Sequence, residues 1–298
     1  MQIGKIQNKK ILIFGAHGML GRECAQGFSN DFELVLLSHE QCDVGNSENV
    51  TQALAKHHPD IVVNCAGIID LSVCEKNPDL AYRVNAEGPG NIARVLKNSF
   101  PHAIFLQFST CYVFGNEKKE FDEFDIPDPL NVYGKSKLAG EQLIQEIFHE
   151  TSVRFLIMRT SWIYSEFRET FVDFVVKSLR ENKRIDVLSD QFNTVTWTKD
   201  LTAACISFIV QPDAYVSGFY HVVAQTDFPL SKFEIAYACA DIMQLDAKLL
   251  IPANSDAIHI QNRPNSAFLR TTKNKNFVLP NWKYSLTAYL HKKYLTEK

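Results

Sequence analysis

Five short apolar runs recur through the first half of the chain: KILIFG (10–15), ELVLL (33–37), DIVVNCAG (60–67), AIFLQFST (103–110) and RFLIMRTSW (154–162). Each is apolar at successive positions rather than at every second one, the pattern of a strand covered on both faces. Helical periodicities lie between them, including SENVTQALAKHH (47–58), with Ser47 as the expected N-cap, and a long run over 78–99. Strands alternating with helices at this spacing predict an α/β fold built on a doubly wound parallel sheet.

Past residue 160 the alternation loosens, and aromatic, irregular stretches such as SDQFNTVTWTKD (189–200) and the segment 254–273 take over. The expected division is a dinucleotide-binding domain over 1–160 and a smaller, mainly substrate-binding domain over 161–298, with some segments returning to the sheet. The 298 residues carry a net charge of -3 with scattered lysines and arginines, so no nucleic acid and no membrane surface is expected as a partner. No apolar run reaches the roughly 18 residues of a spanning helix, and the N-terminal stretch turns polar before its first apolar run. Seven cysteines, an odd number without a C-x-x-C pair, suit a reducing cytoplasm and argue against a structural zinc site.

GAHGMLG follows the first run directly and supplies Gly15, Gly18 and Gly21. Glycine there permits a tight bend and close approach of a pyrophosphate, and the N–H groups of Met19, Leu20 and Gly21, at the start of the following helix, point at the anion. This predicts a Rossmann-like dinucleotide site. The ribose partner should end the second strand, about 20 residues on. Ser38 and His39 stand there, with Glu40 one step late, so NADP is favoured slightly over NAD. Arg22 is the other cation at hand, and Asp43, with Val44 beside it, is placed to meet the adenine.

The stretch NVYGKSKLAGEQ sets Tyr133 and Lys137 four residues apart, on one face of a helix. They follow a strand that carries Ser109 and Thr110 to the edge where open α/β sheets bind ligands. A hydroxyl, a tyrosine and a lysine beside a dinucleotide suit hydride transfer to a carbonyl. A phenol with an ordinary pKa near ~10 is a weak acid–base group at neutral pH, and a neighbouring ammonium is expected to lower it.

On these motifs the chain resembles the extended short-chain dehydrogenase/reductases and, within them, the dTDP-4-dehydrorhamnose reductase family. The resemblance runs through PDIVVNCAG, AYRVNAEGPGNIA, FSTCYVFGN, PLNVYGKSKLAGEQ and RTSWIY to RPNSAFLRTTK near the C-terminus. It implies Tyr133 as general acid, Lys137 as its partner and ribose ligand, Thr110 as the hydroxyl that orients a sugar carbonyl, and Asn64, Cys65, Ala66 and Gly67 as residues lining the cofactor. Ser109, Tyr112, Trp162 and Arg263 would face the nucleotide sugar, Arg263 at its pyrophosphate. The implied activity is NAD(P)H-dependent reduction of a nucleotide-linked 4-keto-6-deoxy sugar in surface-polysaccharide synthesis. A homodimer is left open, as is Mg²⁺, for which no sequence motif speaks.

Three departures fall where the sugar should sit. The family's aspartate is Cys111 here, its alanine-rich loop with a tyrosine and a threonine is NCAGIIDLSVCE, and its glycine and proline are Asn193 and Val195. They leave open a sibling reductase or epimerase making a branched or ring-contracted sugar. A second alternative is a non-catalytic subunit resembling the β-subunit of methionine adenosyltransferase.

Overall fold

The computed structural model describes residues 9–255, 263–273 and 277–295. The polar N-terminal stretch over 1–8, and residues 256–262 of the irregular segment expected at 254–273, lie outside the described residues. The first half runs β1 (Lys10–Phe14), α1 (Met19–Phe28), β2 (Glu33–Leu37), α2 (Ser47–His57), β3 (Ile61–Asn64), α3 (Leu71–Lys76), α4 (Pro78–Tyr82) and α5 (Gly88–Ser99). It continues through β4 (Ile104–Thr110), β5 (Glu120–Phe121), α6 (Val132–Phe148) and β6 (Arg154–Thr160). The N-cap of α2 is Asn46, not Ser47: the Asn46 side chain accepts from the backbone N–H of Glu48 and Asn49. An amide oxygen one residue earlier reaches those two N–H groups, which leaves Ser47 inside the first turn. The expected helix over 78–99 is interrupted by a π-turn, Arg83–Glu87, between α4 and α5.

The remainder runs β7 (Trp162–Tyr164), α7 (Phe171–Arg180), β8 (Ile185–Leu188), β9 (Phe192–Asn193), β10 (Val195–Trp197) and α8 (Thr198–Val210). After it come β11 (Gly218–His221), β12 (Leu230–Ser231), α9 (Lys232–Met243), β13 (Leu250–Ala253), β14 (Phe268–Leu269) and α10 (Trp282–Tyr294). Six strands form one parallel sheet in the order β2-β1-β3-β4-β6-β11. The last apolar run therefore does not continue as a single strand. It leaves the sheet after Thr160, and Trp162 enters a separate pairing with β10.

Side-chain alternation explains why the strands read as unbroken apolar runs. Ile11, Ile13, Ile61, Val63, Leu106 and Met158 pack on one face with α1 and α8. Leu12, Phe14, Val62, Phe105 and Ile157 pack on the other with residues of α2, α5 and α6. With both faces covered, neither set of positions has reason to be polar. A second core joins Tyr164, Val172, Val176, Trp197, Ile235 and Tyr289, from β7, α7, β10, α9 and α10. At its rim the buried Asp173 carboxylate accepts from Tyr289, Tyr294 and Lys293, which hold it below the usual carboxylate range against the opposing effect of burial. No helix among the described residues is long and apolar enough to cross a membrane.

Candidate active site

From β1 the chain passes first to β2 on one side and then to β3 on the other, so the sheet order reverses between β1 and β3. Ligands of open α/β folds bind in the crevice this leaves at the carboxyl ends. Gly15 ends β1 there with φ +70°, and a Cβ on it would stand 2.6 Å from the backbone nitrogen of Ala66. A Cβ on Gly21 would stand 2.3 Å from the Gly15 carbonyl oxygen. These two glycines serve close backbone packing. Gly18 differs: its φ is -69° and its nearest obstacle is the Gly15 oxygen at 3.2 Å, so the missing side chain leaves room for a ligand. It caps α1 without a side-chain hydrogen bond, leaving the first-turn N–H groups of Met19, Leu20 and Gly21 without a capping acceptor. A pyrophosphate fits this cradle.

The neighbouring loops are held from beneath. Asn64 donates to Gln107 at 2.8 Å and accepts from the Ala66 N–H at 3.1 Å. Asn85, turned inward by the π-turn, exchanges two hydrogen bonds with the Ile68 backbone, both 2.9 Å, and donates to Ser136 of α6. Cys65 and Ala66 are partly exposed and Gly67 is open to solvent. At the β2 end Ser38 is buried, and its hydroxyl donates to Glu40 at 2.6 Å, so the carboxylate read as one step late is folded back to that position. His39 is exposed. The Asp43 carboxylate is shared between Arg83 at 2.5 Å and the Gly45 N–H at 3.0 Å, which hold it ionised below the ordinary range although burial opposes this. The Val44 side chain is buried, and its carbonyl accepts from Asn91.

Beside this cradle α6 begins at Asn131, whose side chain accepts from the Gly134 N–H at 2.8 Å. Gly134 admits the helix start against the site: a Cβ there would lie 2.0 Å from the Tyr112 carbonyl. One turn later Lys137, 8% exposed, donates to the Phe108 carbonyl at 2.7 Å. Burial lowers its pKa to about 8, against the supporting charge of Glu141. The Tyr133 phenol is driven the other way, pushed well up by burial and drawn back partly by a hydrogen bond with Thr110. In the protein alone burial thus reverses the expected lowering, and the Lys137 ammonium donates to a backbone carbonyl. A phenol that keeps its proton is the form a carbonyl reduction consumes. The Ser109 hydroxyl is buried and has no partner among the described residues.

The remaining predicted residues gather on the same side. Tyr112 meets Tyr133 edge to face, with ring centres 6.0 Å apart, and hydrogen-bonds Trp162. Burial raises its pKa, and the Arg263 charge opposes that rise. Arg263 belongs to a C-terminal segment tied back by pairing of β14 with β5 and by Asn265 N–H to the Asn116 side chain at 2.9 Å. Two of the family departures touch one another: the Asn193 amide donates to the buried Cys111 sulfur at 3.3 Å. Burial pushes the Cys111 thiol up, away from the thiolate a nucleophile requires. Sequence reasoning missed Lys232, which lines a cavity of about 210 Å³ with Trp162, Phe171 and Ile235. Only its fold position signals it, since nothing in PLSKFEIAYA marks a site. A larger hollow of about 450 Å³, lined by residues 221–227, 268–272, 277–279 and Asn281, includes none of the predicted site residues.

A spore coat polysaccharide biosynthesis protein, SpsK, of Bacillus subtilis is 31% identical over 95% of this chain and 98% of its own. The dTDP-4-dehydrorhamnose reductase of Escherichia coli is 31% identical over 96% of this chain and 98% of its own. The crystal structure of dTDP-4-dehydrorhamnose reductase from Bacillus anthracis in complex with NADP superposes with a TM-score of 0.88 at 27% identity, covering 96% of this chain and 100% of that one. Residues 9–295 match the family model described as RmlD substrate binding domain, and the chain belongs to that family.

Proposed function

We propose that the protein is an NADPH-dependent reductase of a nucleotide-linked 4-keto-6-deoxy sugar, of the dTDP-4-dehydrorhamnose reductase type, serving deoxysugar and surface-polysaccharide synthesis. The observation that carries this reading is the convergence of Thr110, Tyr133 and Lys137 at the β4 edge, beside a glycine cradle built for a pyrophosphate. The named relatives and the NADP complex of the Bacillus anthracis enzyme support it.

In this mechanism Gly18 and the first turn of α1 would hold the cofactor pyrophosphate, on the bend that Gly15 permits, and Lys137 would hold the nicotinamide ribose. What the nicotinamide supplies when bound is the hydride. Thr110 and Tyr133 hydrogen-bond the sugar carbonyl oxygen, where negative charge develops, and Tyr133 gives that oxygen its proton. Ser109, Tyr112 and Trp162 orient the sugar, and Arg263 meets the diphosphate. Fixing the two reactants in contact supplies much of the acceleration.

The working domain division is 1–160 for the cofactor and 161–298 mainly for the substrate, supported by the second core and by the return of α8 and β11 to the main sheet. A cytoplasmic location is supported by seven cysteines that are all free thiols. A homodimer remains an expectation for sedimentation analysis. The deciding experiment incubates the protein with NADPH and a panel of dTDP-, GDP-, UDP- and CDP-linked 4-keto sugars and identifies the reduced product. Absence of turnover with all of them, alongside capture of a tightly held partner enzyme, would replace the reductase by the regulatory-subunit reading.

A further inference from the structure

Lys232 opens α9 with its ammonium over aromatic faces, 5.2 Å from the ring centre of Trp162 and 5.5 Å from that of Phe171. Burial, and then the charge of Arg263, lower its pKa to about 8. Among the described residues no carboxylate pairs with it, and the charge that acts on it is another cation. Such an arrangement disfavours the free fold, because a partly desolvated ammonium gains only partial return from ring faces. The two cations border the same aromatic wall: Arg263 acts on Tyr112 as well, and Tyr112 hydrogen-bonds Trp162. The wall leads through Tyr112 to the Tyr133 ring.

We infer that Lys232 and Arg263 together hold the diphosphate of the substrate, with Trp162 between the phosphates and the sugar. This rests on the nucleotide-sugar reading of the same site and deepens it. Two positive groups of different shape suit two linked phosphates: the planar guanidinium can take one in a bidentate fashion, while the ammonium serves the other as a point charge. Without its anion the pair repels. A diphosphate turns that repulsion into attraction, whereas an uncharged nucleoside gains nothing from it. Lys232 thus makes the site selective for charge.

The test is calorimetric titration of the full chain with dTDP, inorganic pyrophosphate, thymidine and NADPH, using wild type, Lys232→Met and Lys232→Arg. Loss of a charge-assisted contact should weaken dTDP binding to Lys232→Met by roughly tenfold or more. Thymidine and NADPH affinities should stay unchanged, and Lys232→Arg should retain most of the dTDP affinity. Lys232→Met should also melt at a higher temperature than wild type without ligand, since it removes a partly buried charge that no carboxylate among the described residues pairs; a purely structural lysine would show the reverse. Equal dTDP affinity in wild type and Lys232→Met overturns the inference, as does wild type that binds neither dTDP nor pyrophosphate. Failure to reduce any 4-keto nucleotide sugar, while dTDP binding still depends on Lys232, would instead overturn the reductase reading and leave the diphosphate site in place.

Discussion

The Lys137 ammonium donates to the carbonyl of Phe108 at 2.7 Å, tying the first turns of α6 to the strand end that carries Ser109 and Thr110. The lysine therefore has a structural partner as well as a proposed ligand. Tyr133→Phe should reduce turnover by roughly 10²- to 10⁴-fold while leaving NADPH affinity nearly intact. Lys137→Met should damage both. Steady-state kinetics on a reduced sugar, together with NADPH titration, separate the two. Unaltered turnover per folded molecule in Tyr133→Phe would remove the tyrosine from the chemistry.

The alkaline limit of the reaction should belong to Lys137. Its pKa of about 8 in the free protein, set by burial against Glu141, means the ammonium is lost as pH rises through that value, while Tyr133 keeps its proton. NADPH affinity should then fall above about pH 8. For stability the sign is opposite. The folded value lies below the ordinary 10.5, so the buried charge disfavours the fold at low pH and the penalty fades as pH rises from about 8 toward 10.5. Melting temperature in the apo protein should therefore rise between pH 8 and 9 more in wild type than in Lys137→Met.

Gly18 and Gly21 should separate binding from folding. Gly18→Ala puts a methyl group into the space proposed for the pyrophosphate, with no backbone atom nearer than 3.2 Å. It should fold normally and lose NADPH affinity. Gly21→Ala would bring Cβ to 2.3 Å from the Gly15 oxygen and should lower the melting temperature whether or not cofactor is present. Thermal scans with and without NADPH read both outcomes.

Glu40 is expected to bear on the cofactor preference as long as its present position persists when cofactor binds. Its carboxylate takes the Ser38 hydroxyl at 2.6 Å, and that hydrogen bond keeps it ionised below the usual range. A negative group at the ribose site opposes a 2′-phosphate and welcomes a 2′-hydroxyl. Glu40→Ala should shift the ratio of NADPH to NADH affinity several-fold toward NADPH. An unchanged ratio would mean that the loop rearranges around the cofactor.

Deep under the site, Arg159 forms a bidentate pair with Glu141, at 2.7 and 3.0 Å, and both are almost fully buried. The guanidinium also lies over Phe219 at 4.4 Å and Phe114 at 5.1 Å. Glu141→Leu would strand this charge and should cost about 3–5 kcal/mol in urea unfolding. It should also push the Lys137 titration lower, because Glu141 is the carboxylate that supports its ammonium.

The parallel sheet, the glycine cradle and the Tyr133–Lys137 face were legible in the sequence because each rests on local rules: strand burial, turn geometry and helical periodicity. Local rules carry no information about partners that meet across the chain. The π-turn that swings Asn85 inward, the return of Glu40 to Ser38, and the contact between Asn193 and Cys111, 82 positions apart, arise only when the packed fold brings those groups together. Lys232 shows the same limit most plainly. As a sequence residue it is an ordinary lysine at a helix start, and only tertiary packing sets it over Trp162 and near Arg263, with no carboxylate among the described residues paired to it.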